Sequence, residues 1–139
     1  MKKTAKTNKT GKKILKTLKK AALQSQTLKA AHRAVQVGQD KLAKDFLLMD
    51  VKGLSSITDM FLLMSGMNER QIKAIAFEIS KTLKEEFGFH PIRIEGMTES
   101  RWVVMDYGDL IIHLFHEKVR PIYQLETLWA EGKKIEVGA

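Results

Sequence analysis

The segment Arg101–His116, RWVVMDYGDLIIHLFH, constrains the fold more than any other part of this sequence. β-Branched and aromatic residues fill both of its arms and Tyr107-Gly108 separates them, which predicts two antiparallel strands joined by a two-residue turn. Gly108 lacks a Cβ and can take the positive φ that such a turn requires. The predicted register then pairs Asp106 with Asp109, Val104 with Ile111, and Trp102 with His113.

The two faces of this hairpin differ in character, because side chains alternate along a strand. One face is wholly apolar and is predicted to lie in the core; it holds Val103, Met105, Leu110, Ile112 and Leu114. The other face is mixed; it holds Trp102, Val104, Asp106, Asp109, Ile111 and His113. Opposed aspartates destabilise a strand pair, so either they cap the turn through backbone N–H groups or they serve a function. The residues alone leave both explanations open.

The rest of the chain alternates between helical and strand patterns. Helices are predicted from Ile14 to about Val37, from Asn68 to Gly88 and after Pro121, and strands at Asp45–Val51, Met60–Ser65 and Ile92–Glu95. The first helical segment fits one long helix or two, and Ala130–Ala139 shows no clear pattern. Together with the hairpin, this order predicts an α/β (α+β) domain with a mixed five-stranded sheet flanked by helices.

The formal charge of +8 is concentrated at the N-terminus. Residues 1–20 carry nine lysines and no acid, whereas fifteen basic and sixteen acidic residues from position 21 onward leave a net charge of −1. We therefore divide the chain into a basic extension, residues 1–27, disordered over Met1–Lys13 and then helical, and a domain over residues 28–139. The extension is either a solvated tail or a salt-sensitive contact with phosphate. Its candidate RNA contacts are Lys12, Lys13, Lys16, Lys19 and Lys20.

Composition limits the compartment and the kinds of site. The absence of cysteine rules out disulfides and thiolate metal sites and fits a reducing compartment. No apolar run approaches the length of a bilayer span. The N-terminus has neither the hydrophobic region of a secretion signal nor the arginine- and serine-rich composition of a transit peptide. We therefore expect a cytoplasmic protein rather than one imported into an organelle.

Asp106 and Asp109 are the one pair that suggests catalysis, because two carboxylates near a turn can hold a divalent cation for nucleotidyl transfer. A third acid and a phosphate cradle are not evident. His113 and His116 lie three residues apart on a predicted strand and point to opposite faces, so they do not form a metal site. We assign no catalytic residue, metal or cofactor.

A series of short motifs resembles the ribosomal silencing factor, or Iojap, family. Each motif is weak by itself, but the series is specific because it covers roughly Leu28–Trp129 with the order intact. The motifs are Asp50-Val51, Leu54-Ser55-Ser56-Ile57-Thr58-Asp59, Ser65-Gly66, Arg70-Gln71, Ile75-Ala76, Ile94-Glu95-Gly96, Arg101-Trp102, Asp106-Tyr107-Gly108-Asp109 with His113, and Leu125-Glu126 with Leu128-Trp129. Residues 1–27 depart from the family's common core.

This resemblance implies a fold similar to nucleotidyltransferases without their catalytic acids. It also implies binding to the large ribosomal subunit through its protein fourteen, at the surface that meets the small subunit. Occupying that surface would block subunit joining and lower translation when nutrients are short. Whether the chain forms a homodimer stays open.

The resemblance also gives the mixed hairpin face a purpose as a protein-binding patch. Tryptophan is enriched at binding hot spots, and carboxylates complement basic groups on a partner. We expect Trp102 to be partly exposed, or covered only by a loop or the N-terminal helix. The residues assigned to partner binding are Trp102, Asp106, Tyr107, Asp109 and His113.

Overall fold

The structure is a computed structural model that describes residues 9–128 and 130–138. Its elements are α1 (Lys9–Asp40), β1 (Lys44–Asp50), β2 (Met60–Gly66), α2 (Glu69–Phe87), β3 (Arg93–Glu95), β4 (Trp102–Asp106), β5 (Leu110–His116), α3 (Arg120–Tyr123), α4 (Leu125–Leu128) and β6 (Lys133–Ile135). None of the helices in these two ranges is both long and apolar enough to cross a bilayer.

The strands form one mixed sheet in the order β3-β4-β5-β2-β1-β6. β2 pairs with β5 in parallel, and the other neighbouring pairs of this sheet are antiparallel. The predicted fold class is confirmed, but the predicted number of five strands is wrong because β6 adds a sixth strand along β1. β6 has only three residues, whereas an alternation pattern needs at least about four.

The main core lies between one face of the sheet and the two long helices. The helical spacing of five apolar residues predicts a stripe along α2, and all five are buried; they are Ile72, Ile75, Ala76, Ile79 and Leu83. Asn68 caps this helix as predicted, since its Oδ1 accepts a hydrogen bond from the Gln71 N–H at 2.8 Å. Ala30, Ala31 and Ala34 of α1 complete the core, and their small side chains let α1 pack closely.

α1 is a single helix that continues past Gly38, where the sequence predicts its end. A Cβ at Gly38 would lie 2.6 Å from Met64 Sδ and 2.8 Å from Phe46 Cε1, so glycine is needed there for close packing. The chain instead turns at Leu42, whose φ is 66°. Residues 9–13, predicted to be disordered, form the start of α1; residues 1–8 of that prediction lie outside the described residues.

The hairpin between β4 and β5 forms, but its loop is Gly108-Asp109 and not Tyr107-Gly108. The Tyr107 N–H donates to the Leu110 carbonyl at 2.9 Å, and Gly108 has a φ of 88°. The Asp109 N–H donates to the Tyr107 carbonyl at 3.2 Å, and the chain reverses at the positive φ of Gly108, so Gly108 begins the loop. The register therefore pairs Trp102 with Phe115, Val104 with His113, and Asp106 with Ile111. This shift of two residues leaves each strand residue on its predicted face.

The segment after β5 does not form the single predicted helix. Two four-residue helices, α3 and α4, are separated by Gln124, whose φ of 48° ends the first of them. The sequence predicts one apolar stripe along that helix, formed by Ile122, Leu125, Leu128 and Trp129. The break at Gln124 interrupts this stripe, and Ile122 is 73% exposed. Trp129, the last member of that stripe, lies outside the described residues.

Candidate partner-binding face

The sheet face that points away from α1 and α2 is the candidate binding surface, and we call it the open face. Met49, Phe61, Leu63 and Phe115 form its buried centre. Around that centre, Leu47, Val104 and Ile111 remain half-buried. The chain after β5 contributes Val119 and Leu125 to this cluster. The open face is thus covered only in part, by the chain after β5, whereas two long helices cover the other face.

Trp102 lies at the edge of the open face within a cluster of rings. Its indole stacks on Phe115 with a centroid distance of 5.0 Å. Tyr123 of α3 covers it at 4.4 Å, and the His113 ring lies 6.0 Å away. Trp102 remains half-buried and Tyr123 is 50% exposed. The predicted partial exposure of Trp102 is therefore present, but its cover is α3 and not the N-terminal helix.

His113 holds the Trp102 ring in place from the neighbouring strand. Its Nδ1 accepts a hydrogen bond from Trp102 Nε1–H at 3.1 Å, which requires a neutral imidazole with its proton on Nε2. Burial lowers the pKa of His113 from 6.5 to about 4, because a low-dielectric environment disfavours the charged ring. His113 is thus a neutral acceptor at pH 7.

Asp106 and Asp109 are not opposed, contrary to the predicted register. Asp106 Oδ1 accepts the Gly108 N–H at 2.8 Å, and its Oδ2 lies 3.8 Å from Arg93 Nε. Asp106 therefore caps the turn, as one of the two explanations predicted. Asp109 is exposed within the turn and lies outside the strand pairing, so the predicted pairing of Asp106 with Asp109 does not form. Within residues 9–128 and 130–138 there is no group of three or more metal-ligand side chains.

Tyr107 points to the other side of the sheet from Trp102. It packs against the helix-covered core, and its hydroxyl is buried. Burial raises the pKa of Tyr107 to about 12, and the nearby Ser80 side chain offsets part of this increase, although the two groups do not meet at hydrogen-bond geometry. Tyr107 therefore does not share the open face with Trp102, because it follows Asp106 in strand alternation.

Ile122 and Tyr123 belong to the candidate surface and were not assigned to it from the sequence. Both are exposed, and together with Trp102 they border an open depression of about 590 Å³. Arg101 and Val119 also line it. The sequence pattern predicts a single helix with Ile122 on its apolar stripe, whereas the first helix ends at Gln124. The sequence therefore shows neither the exposure of Ile122 nor the contact between Tyr123 and Trp102.

Arg120 anchors α3, which carries those two side chains, to the sheet. Its Nη1 donates to the Ser65 hydroxyl at 2.9 Å and to the Asp45 carbonyl at 2.5 Å. The Ser65 side chain is itself buried. The position of Tyr123 over Trp102 is therefore fixed by a polar contact at the start of α3.

The five candidate lysines lie together on α1, apart from the open face. Lys12, Lys13, Lys16, Lys19 and Lys20 are all exposed. The structure therefore joins Trp102 and His113 directly, keeps Asp106 on the same face, and separates Tyr107, Asp109 and the lysines from them.

Comparison with known proteins identifies the family. Residues 23–139 match the family model described as ribosomal silencing factor during starvation. The chain belongs to the ribosomal silencing factor family. It is 39% identical over 104 residues to the ribosomal silencing factor of Halalkalibacterium halodurans, which covers 75% of this chain and 88% of that protein. The family resemblance drawn from the short motifs is confirmed.

Two further comparisons support the fold and extend the range of relatives. An X-ray crystal structure of a Chromobacterium violaceum protein superposes with a TM-score of 0.71 at 29% identity, over 81% of this chain and 92% of that one. A more distant mouse relative is named mitochondrial assembly of ribosomal large subunit protein 1. It is 32% identical over 89 residues, which are 63% of this chain and 39% of that protein.

Proposed function

We propose that this member of the silencing factor family binds the large ribosomal subunit through ribosomal protein fourteen and blocks its association with the small subunit. Translation would then be repressed when nutrients are limiting, in a bacterial cytoplasm. Family membership supports a ribosomal partner, and the name of the mouse relative supports the large subunit. The half-exposed ring cluster on the open face carries the proposal that a protein is bound there.

The ring cluster has the properties of a binding anchor. Aromatic side chains bury a large apolar area on binding and dominate interface energetics. Trp102 is already held by Phe115, Tyr123 and the His113 hydrogen bond, so little rotamer freedom remains to be lost when a partner covers it. Val104 and Ile111 extend the apolar surface along the same face. Asp106 adds a carboxylate that can attract basic groups of a ribosomal protein.

The full chain should co-sediment with isolated large subunits and not with small subunits. Added to large subunits before small subunits, it should prevent the formation of joined ribosomes, which light scattering measures. Adding it after joining provides the control for order of addition. Equal sedimentation with small subunits, or normal joining at saturating occupancy, would contradict the proposed steric block.

We also propose that the five candidate lysines on α1 strengthen this binding through contacts with rRNA phosphate; they are Lys12, Lys13, Lys16, Lys19 and Lys20. Deleting residues 1–20 should make the slope of log affinity against log salt shallower by about 0.7 to 0.9 for each lost phosphate contact. The domain should stay folded, because the first buried side chain along the described part of α1 is Thr27. Circular dichroism and a salt titration of subunit binding measure both effects.

The control for this deletion removes positive charge from the exposed side of a different helix, α2. Lys81→Gln with Lys84→Gln changes two exposed lysines of α2 and should leave the salt slope unchanged. A slope that is equally steep with and without residues 1–20 would show that the extension makes no phosphate contact.

A further inference from the structure

The N-terminal part of α1 extends beyond the packed domain. Between residues 10 and 26 no side chain is buried, and packing begins at Thr27, which is 4% exposed. At about 1.5 Å per residue this projecting helix is roughly 25 Å long. It is therefore available to a partner over a considerable length.

The projecting helix has two chemically opposite sides. Because a helix turns about 100° per residue, Ile14, Leu15, Leu18, Ala21 and Ala22 fall within an arc of about 120°. We call these five residues the outer stripe. The large side chains of the stripe are exposed, by 55% for Ile14, 53% for Leu15 and 61% for Leu18. The opposite side of the same turns carries Lys12, Lys13, Lys16, Lys19 and Lys20.

The outer stripe points away from the protein's own domain. The buried positions farther along α1, Thr27, Ala30 and Ala34, fall on the same side of the helix as the lysines, roughly opposite the stripe. The domain core therefore cannot cover the stripe while α1 remains straight. Farther along the outer side come Ser25, Lys29 and His32, and no acidic residue precedes Asp40 anywhere in the sequence.

A second copy of the chain or an RNA explains only part of this pattern. Two copies paired through their stripes would bring together two cationic segments, since no acid precedes Asp40 in either copy. Three large apolar side chains also fall far short of the roughly 800 Å² that each partner buries in a stable complex. RNA phosphates would satisfy the lysines but leave Ile14, Leu15 and Leu18 in water.

An anionic bilayer surface matches both sides of the helix at once. A helix with an apolar stripe and a lysine-rich polar side lies in the membrane interface, with its apolar side at the acyl boundary. Anionic headgroups attract nearby lysines electrostatically. The long side chains of Lys12 and Lys19, which border the stripe beside Leu15, can extend toward the headgroups, and Lys29 lies on the outer side itself.

We propose that the outer stripe of α1 binds the surface of an anionic lipid bilayer. With the stripe at the membrane, the domain lies on the opposite side of the helix and does not obstruct the contact. This proposal concerns a different surface from the open face and does not depend on how the domain contacts the ribosome.

Flotation of the full chain with vesicles tests the proposal. The chain should float with vesicles of phosphatidylglycerol and phosphatidylcholine in equal parts, and not with phosphatidylcholine alone. Leu15→Ala with Leu18→Ala should weaken vesicle binding about tenfold or more. Alanine preserves helix propensity, so circular dichroism should stay unchanged. Phe77→Ala, at a side chain of α2 that is 69% exposed, is the matched control and should float like the parent.

Measurements of large-subunit binding and of oligomeric state test the two other candidate partners of the outer stripe, the ribosome and a second copy of the chain. The leucine variant should bind large subunits with the parent's affinity and salt slope, and both proteins should have the same mass in analytical ultracentrifugation. Undiminished flotation of the variant would overturn the proposal. So would a loss of subunit affinity, which would assign the stripe to the ribosome, or a dimeric parent that becomes monomeric, which would assign it to a second copy.

Discussion

Trp102→Ala should weaken binding to the large subunit by about thirtyfold or more while the chain remains folded. Truncating an interface anchor typically costs about 2–4 kcal/mol of binding. Trp102 is only half-buried, so its truncation should cost less than the roughly 3–5 kcal/mol expected for a fully buried tryptophan. The truncation removes the stacking of Trp102 on Phe115 and its hydrogen bond to His113, whether Trp102 is an interface anchor or a core residue. Equilibrium binding and urea unfolding of the same sample measure the two effects.

Two further variants distinguish loss of contact from loss of structure. Trp102→Phe keeps a ring over Phe115 but removes the N–H donor, so it should recover part of the lost affinity. Asp106→Asn keeps an oxygen that can accept the Gly108 N–H and removes only the charge. Parent-like binding by both Trp102→Ala and Asp106→Asn would show that the open face is not the binding surface. A collapsed urea midpoint for Trp102→Ala would instead assign Trp102 to the core.

The two long helices, the faces of the hairpin strands and the family could be predicted from local patterns. α2 has a capping residue, an uninterrupted apolar stripe and a terminal glycine, and all three act within the helix itself. The two faces of the hairpin were predicted correctly although its register was wrong, because an error of two residues preserves the alternation of a strand. Trp102 and His113 therefore remained on one face.

Features set by contacts between distant segments could not be predicted. Tyr123 reaches Trp102 because Arg120 fixes α3 to Ser65, which lies 55 residues earlier in the chain. β6 depends on pairing with β1 and has no pattern of its own. Gly108 favours a tight turn wherever the loop begins, and the sequence does not state which central position it occupies. The position of Gly108 in the loop determines whether Asp109 belongs to the strand opposite Asp106 or to the turn.

His113 should make the stability of the domain depend on pH between its ordinary pKa and its folded-state pKa. Burial lowers that pKa from 6.5 to about 4, so the unfolded chain binds the proton more readily than the folded chain. The contribution of neutral His113 to the stability of the folded chain is therefore fully present above pH 6.5 and is lost as the pH falls toward 4. It corresponds to about 3 kcal/mol of unfolding free energy.

His113→Gln isolates this contribution, because glutamine does not titrate and its carbonyl oxygen can still accept the Trp102 N–H. The variant should lose stability at pH 7 through poorer packing, yet gain about 3 kcal/mol relative to the parent between pH 7 and pH 4. Carboxylates common to both proteins cancel in this difference, which urea unfolding at the two pH values measures. His90→Gln changes an exposed histidine and should keep the parent's pH dependence. If the difference between His113→Gln and the parent is the same at both pH values, His113 is not a buried neutral acceptor, and the proposed anchoring of Trp102 loses its support.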